Sequence, residues 1–201
     1  MKKPITPEFL WHLDKLCMCF QVTIVTTVDA QGRVNAAPFG LVLPYSGDTG
    51  RPQMMFCSNR MWHTAQNIEA TGEFVINYPS FNLYPKVSEA GKLWPEGVNE
   101  LEKAGLTAIP ALKVRPPRIE ECYQHIECRL AQVIHPHESQ SNFIGDIVSI
   151  SIDEEFLNLS QMEKIKKADP LFIFGIELPS FTSFYLRGER QNPFRPRKNK
   201  G

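Results

Sequence analysis

The chain has 201 residues, enough for one domain with a full apolar core. Its 22 basic side chains balance 22 acidic ones, so no net field draws it to nucleic acid or to an anionic membrane, and any anion must be held by a local site. No stretch approaches the roughly 20 apolar residues of a membrane span, and the start "MKKPITPEFLWHLDKL" lacks the apolar centre of a signal peptide, so a cytoplasmic protein is expected.

The first predicted element is a hairpin. Residues 20 to 28 and 33 to 43 are β-branched or apolar runs around the turn signal Asp29-Ala30-Gln31-Gly32. Its second arm, "GRVNAAPFG", places Asn35, then small Ala36 and Ala37, then Pro38 and Phe39. Proline cannot donate into a central ladder, so the strand edge is expected to open here. Small side chains beside a freed backbone suit a flat ligand whose rim hydrogen-bonds main-chain groups, as the polar edge of a flavin requires. An edge strand kinked by proline gives the same letters without a ligand.

"PQMMFCSN" reads as a third strand and "GEFVINYP" as a fourth, with a helix from about Met61 to Thr71 between them, closed by Gly72. Where strand hands over to helix, Ser58, Asn59, Arg60, His63 and Thr64 collect. A helix N-terminus offers unpaired N–H groups and a partial positive charge, and with Arg60 and the Thr64 hydroxyl on the first turn it makes a seat for phosphate. The alternative is an N-cap by Ser58 or Asn59 beside a solvated arginine. His63 is either a base, ligand or phosphate donor, or a packed surface residue. Cys57, just before this knot, is either a thiol activated by the helix N-terminus or a small buried strand residue.

Residues 80 to 113 are irregular with weak helical pieces, notably "VNELEKAG", where Val98 and Leu101 share a face and Gly105 ends the turn. They read as a long excursion over the surface. From Ile119 the β pattern returns in "ECYQHIECRLAQVIHP", "FIGDIVSISID" and "PLFIFGIEL", with a charged helical insertion at "SQMEKIKKADP". His125, His135 and His137 complete no ligand set, and Cys17, Cys19, Cys57, Cys122 and Cys128 form no C-x-x-C pair, so neither metal nor disulfide framework is expected. Gly47 and Gly50 in "SGDTGRP" do not match G-x-G-x-x-G and sit in a hairpin-type loop. Many short strands without βαβ alternation predict a mainly β fold with minor α, a closed antiparallel sheet rather than a doubly wound one. Residues 1–190 are expected to form one domain, and 191–201 a basic, frayed tail.

Taken in order, "VTIVTTVDAQGRVNAAPFG", "MMFCSNRMWHTAQNIEATGEFVINYP", "AGLTAIPALKVRPPRIEECYQHIECRL" and "FIGDIVSISID" resemble the flavin reductase-like, FMN-binding split-barrel family, in particular its flavoredoxin-type branch. The resemblance runs from about Phe20 to Asp153. It implies a Greek-key split β-barrel with short helices that forms a homodimer, with FMN held between barrel and partner subunit. It implies that Asn35, Ala36, Ala37, Pro38 and Phe39 line the isoalloxazine, and that Ser58, Asn59, Arg60, His63 and Thr64 form the ribityl-phosphate side. In that scheme Arg60 supplies charge, Thr64 and the helix N–H groups supply donors, and Ser58 and Asn59 complete the cradle.

One departure is visible. Many reductase members carry a histidine shortly before the glycine matching Gly145, whereas Gln140, Ser141 and Asn142 offer no imidazole here. The resemblance therefore carries FMN binding further than rapid turnover with a nicotinamide. It implies an oxidoreductase that takes hydride or electrons from NADH, NADPH or a protein donor and passes them to a small-molecule or protein acceptor. A non-catalytic FMN-binding protein for electron transfer or flavin storage needs the same cradle. Because the flavin supplies the redox chemistry, no catalytic dyad is required, and no catalytic side chain stands out.

Overall fold

The computed structural model describes residues 19–47, 50–177 and 182–187. In chain order its elements are β1 (Phe20–Gln21), β2 (Thr23–Val28), β3 (Val34–Phe39), β4 (Val42–Ser46), β5 (Gln53–Asn59), α1 (His63–Thr71) and β6 (Glu73–Tyr78). There follow α2 (Tyr84–Ala90), α3 (Glu100–Ala104), β7 (Ala108–Ile109), β8 (Arg118–Ile119), β9 (Gln124–His137), β10 (Gln140–Ile152), α4 (Gln161–Ala168), β11 (Leu171–Glu177) and β12 (Thr182–Arg187). The expectations for the N-terminal start, for Cys17 and for the tail 191–201 lie outside the described residues.

The β2–β3 hairpin forms as expected. Asp29 holds its turn by accepting from Gln31 N at 2.9 Å and Arg33 N at 2.8 Å, while Gly32 takes φ +82°, a conformation L side chains resist. The expected run from 33 to 43 is not one strand. It breaks at Gly40, where a Cβ would lie 3.2 Å from Ile173 Cγ2 and 3.3 Å from Phe20 Cβ, a tight fit against the crossing chain. Beyond the break β4 pairs with β5, and before β2 the short β1 leaves to pair with β11 in a second, three-stranded sheet.

The main sheet has the order β3-β2-β6-β9-β10-β5-β4, every pairing antiparallel. Its two edge strands, β3 and β4, are consecutive in the chain and joined only by Gly40 and Leu41. The sheet must therefore curl until its edges meet, which makes a split barrel of the mainly β class the sequence predicts. Inside, the Phe56 ring lies 5.2 Å from Phe39, 5.3 Å from Phe74 and 5.2 Å from Phe143, joining β5 to β3, β6 and β10. Each buried ring contributes about 1.5–3 kcal/mol of hydrophobic stabilisation.

Residues 80 to 113 are not a surface excursion. Val87 and Ala90 of α2 and Leu101 and Ala104 of α3 are buried with Val22, Ile24 and Ala36 in a second core outside the barrel. Helices of 7 and 5 residues span too few turns to display a full period, so beyond the Val98–Leu101 pair their apolar faces do not show in the sequence. Among the described residues no helix is long and apolar enough to cross a membrane.

Candidate functional site

β3 is an edge strand of the main sheet, as Pro38 requires, but its outward side is covered rather than open. A Cβ on Gly91, just beyond α2, would meet Pro38 Cγ at 2.9 Å, so that glycine lets the end of α2 rest on the proline. The next outward N–H, that of Ala36, donates to Glu100 Oε2 of α3 at 3.0 Å. Along β3 the side chains divide by strand alternation. Ala36 packs into the core beneath α2 and α3, while Ala37 and Phe39 pack into the barrel.

Asn35, at the start of β3, is buried in a polar cluster. Its side-chain amide lies 3.0 Å from the Thr64 hydroxyl and 3.3 Å from the Thr27 hydroxyl, and Asn67 Nδ2 donates to Thr27 Oγ1 at 3.0 Å. Turning the amide end for end keeps the Thr64 contact and sets Nδ2 against Glu100 Oε1 at 3.3 Å. Burial pushes the Glu100 carboxyl above the ordinary carboxylate range, opposed by the Ala36 N–H and by the charge of His63. Asn35 and His63 both line an open cleft of about 250 Å³ between the β2–β3 turn, one face of α1 and residues 96–98.

The expected polar knot is distributed differently. α1 begins at His63, its N-cap is Trp62, and no side chain caps it. Asn59 instead accepts from Met61 N at 2.9 Å through its own side chain, and the Ser58 hydroxyl, buried, donates to Asn59 O at 3.1 Å. Arg60 is anchored through its backbone, N to Ser139 O at 3.0 Å. Among the described residues no carboxylate lies within ion-pair distance of its guanidinium. An uncapped helix start leaves backbone N–H groups unpaired, the chemistry that suits an anion, and Arg60 lies two residues before its N-cap. That N-cap, Trp62, is 50% exposed and its ring lies 6.1 Å from Phe39.

Burial raises the Cys57 thiol, which works against a thiolate there. His125 is spoken for, with Nε2 2.8 Å from Ile119 O and Nδ1 3.1 Å from Ser151 Oγ, and no cluster of metal-ligating side chains occurs among the described residues. The members of this polar cluster that the sequence reading missed are Thr27, Asn67 and Glu100. Asn67 was within reach, since it lies one helical turn from His63 on the same face. Nothing marked Glu100, because a glutamate in the first turn of a helix is ordinary.

Over residues 16–183 the chain matches the flavin reductase like domain family. It is 34% identical over 158 residues to an uncharacterized protein of Methanothermobacter thermautotrophicus, covering 76% of this chain and 73% of that one. Among solved structures it is similar to nitrilotriacetate monooxygenase component B from Bacillus cereus, with a TM-score of 0.83 at 19% identity over 96% of this chain and 99% of that one. It is also similar to flavoredoxin of Desulfovibrio vulgaris (Miyazaki F), with a TM-score of 0.74 at 22% identity over 100% of this chain and 98% of that one. At these identities the structural likeness is one of fold.

Proposed function

The chain belongs to the flavin reductase like domain family, and from that premise we propose that it binds FMN and works as an oxidoreductase through it, accepting hydride or electrons from NADH, NADPH or a protein donor. The observation that carries FMN over other flat ligands is the pairing of two unlike half-sites. The uncapped start of α1, with no carboxylate within ion-pair distance of Arg60 among the described residues, suits a phosphate, and Asn35 at the start of β3, lining the open cleft with His63, suits the polar rim of a ring. The donor set thus fits the group, since charge and N–H donors gather at one end and neutral polar atoms at the other.

When bound, the flavin supplies hydride and electron chemistry that no side chain can. The chain's own residues bind and orient. Arg60 and the first-turn N–H groups of α1 would neutralise the phosphate, Thr64 would fix Asn35 against α1, and the aromatic cluster behind Phe39 would keep β3 rigid under the ring. The exposed apolar Leu43 and Tyr45 of edge strand β4 support a second copy as the cover of that strand, hence a homodimer.

The test is anaerobic mixing of the FMN-loaded protein with NADH and with NADPH while the flavin absorbance is followed. Fast bleaching is the expected result. Bleaching by neither nucleotide, with full bleaching by dithionite, would move the protein to the non-catalytic reading, in which the same cradle serves electron transfer or flavin storage.

A further inference from the structure

The open cleft that Asn35 and His63 line is also walled by two tight turns from separate parts of the chain. One is the β2–β3 turn. The other, residues 95–98 between α2 and α3, is closed by Val98 N donating to Pro95 O at 3.2 Å, with Gly97 at φ +81°, where glycine is favoured. Arg33 joins the two. Its Nε donates to Asp29 Oδ2 at 2.5 Å and its Nη2 to Glu96 Oε1 at 3.1 Å. Asp29 Oδ1 accepts from Arg33 N at 2.8 Å, so the turn that starts β3 also aims the guanidinium. Gly97 makes room for it, since a Cβ there would lie 3.0 Å from Arg33 Nη1. Among the described residues no other ion pair links the two turns.

We infer that Arg33 is a positioning residue whose fork clamps residues 95–98 as a wall of the cleft, and whose charge offsets two carboxylates that would otherwise face the rim of a flavin ring. The second half rests on the placement of that rim in this cleft proposed above. A flavin's polar rim is an N–H between two carbonyls, so it presents more acceptors than donors. Carboxylates only accept, and they repel such a rim. With Arg33 in place, Asp29, Arg33 and Glu96 sum to one negative charge; without it they sum to two. Lysine is no substitute, because an ammonium is a point charge without the planar fork that reaches both turns.

The clamp holds a wall rather than the fold. The Glu96 side chain is 74% exposed, so its arm of the bridge is weak and screened by salt, whereas Asp29, at 18%, keeps the guanidinium on the β2–β3 turn. Residues 95–98 have a separate anchor at Trp94, whose Nε1 donates to Glu89 O at 3.2 Å and whose ring lies under Lys103. Loss of the clamp therefore frees the turn that lines the cleft and leaves the connection between α2 and α3 attached.

The experiment has two arms. In ligand-free protein, amide hydrogen exchange at Val98, whose N–H closes the second turn, should quicken by up to about fivefold in Arg33→Ala, in Arg33→Lys and in wild type at high salt, with β2 unchanged. The same Val98 rate in all of these as in wild type at low salt overturns the clamp. In the second arm riboflavin and FMN are titrated into wild type, Arg33→Ala and the double variant Arg33→Ala/Glu96→Gln, followed by flavin fluorescence. Arg33→Ala should weaken both flavins by the same factor, about threefold to tenfold, and the double variant, with one carboxylate fewer, should regain part of that loss although the clamp stays broken. No loss in Arg33→Ala, or equal losses in the single and double variants, overturns the role at the ring. A loss for FMN alone overturns it too, since Arg33 would then meet the phosphate. Should Arg33→Ala fail to fold, Arg33→Gln replaces it with the same expectations. If wild type binds neither flavin while Val98 exchange responds to Arg33, the flavin reading fails, the role at the ring falls with it, and the clamp stands.

Discussion

The Asn35 side-chain amide and the Thr64 hydroxyl lie 3.0 Å apart, joining the start of β3 to the first turn of α1. The contact bridges 29 residues of sequence and ties the strand proposed to carry the ring to the helix proposed to carry the phosphate. Thr64→Val keeps the shape and deletes the hydroxyl, leaving a buried amide one partner short. It should lower the stability by about 1–3 kcal/mol. Combined with Asn35→Ala in a double-mutant cycle, urea denaturation should return a coupling of at least about 0.5 kcal/mol. Strict additivity would mean that the contact does not hold strand to helix.

Gly145 of β10 has no space for a side chain, since a Cβ would lie 2.5 Å from Phe74 Cζ and 2.9 Å from Cys128 Cβ. Gly145→Ala should cost about 1–3 kcal/mol by overpacking a barrel wall built around that ring. Phe74→Leu in the same chain should restore part of the loss, which thermal melts of the single and double variants will read.

Much of this architecture is legible in the sequence because its signals are local. The Asp29–Gly32 turn and the strands on either side of α1 follow from alternation and from turn chemistry. The break at Gly40 is not local, because it depends on Phe20 and Ile173 crossing there. α1 starts two residues later than the sequence suggests, since Asn59 looks like an N-cap but spends its side chain on Met61 N. The candidate site was half legible. Asn35 and the knot around Arg60 announce themselves by polarity at strand ends, whereas Glu100 reaches β3 only because two short helices fold back onto it.

The pH dependence of stability at Glu100 has a definite sign. Its folded carboxyl is raised above the unfolded value of about 4.3. The stability it contributes is therefore fully present below that unfolded value and is lost as pH rises through the folded one. Glu100→Gln, which cannot ionise, should gain in melting temperature relative to wild type as the pH moves from acid to neutral. A difference that stays constant across that range would show that the carboxyl is not perturbed by folding.

The central claim is that the start of α1, with Arg60, holds the phosphate of FMN. It is tested most directly by dissociation constants of wild type and Arg60→Ala for FMN and for riboflavin, followed by flavin fluorescence at two salt concentrations. Wild type should prefer FMN, and Arg60→Ala should weaken FMN by about 1.5–3 kcal/mol, the worth of a charge-assisted hydrogen bond, while riboflavin binding hardly changes. Added salt should narrow the FMN preference of wild type, because a half-exposed phosphate contact is screened. Equal losses for both flavins, or no loss for either, would contradict the account and put the phosphate elsewhere.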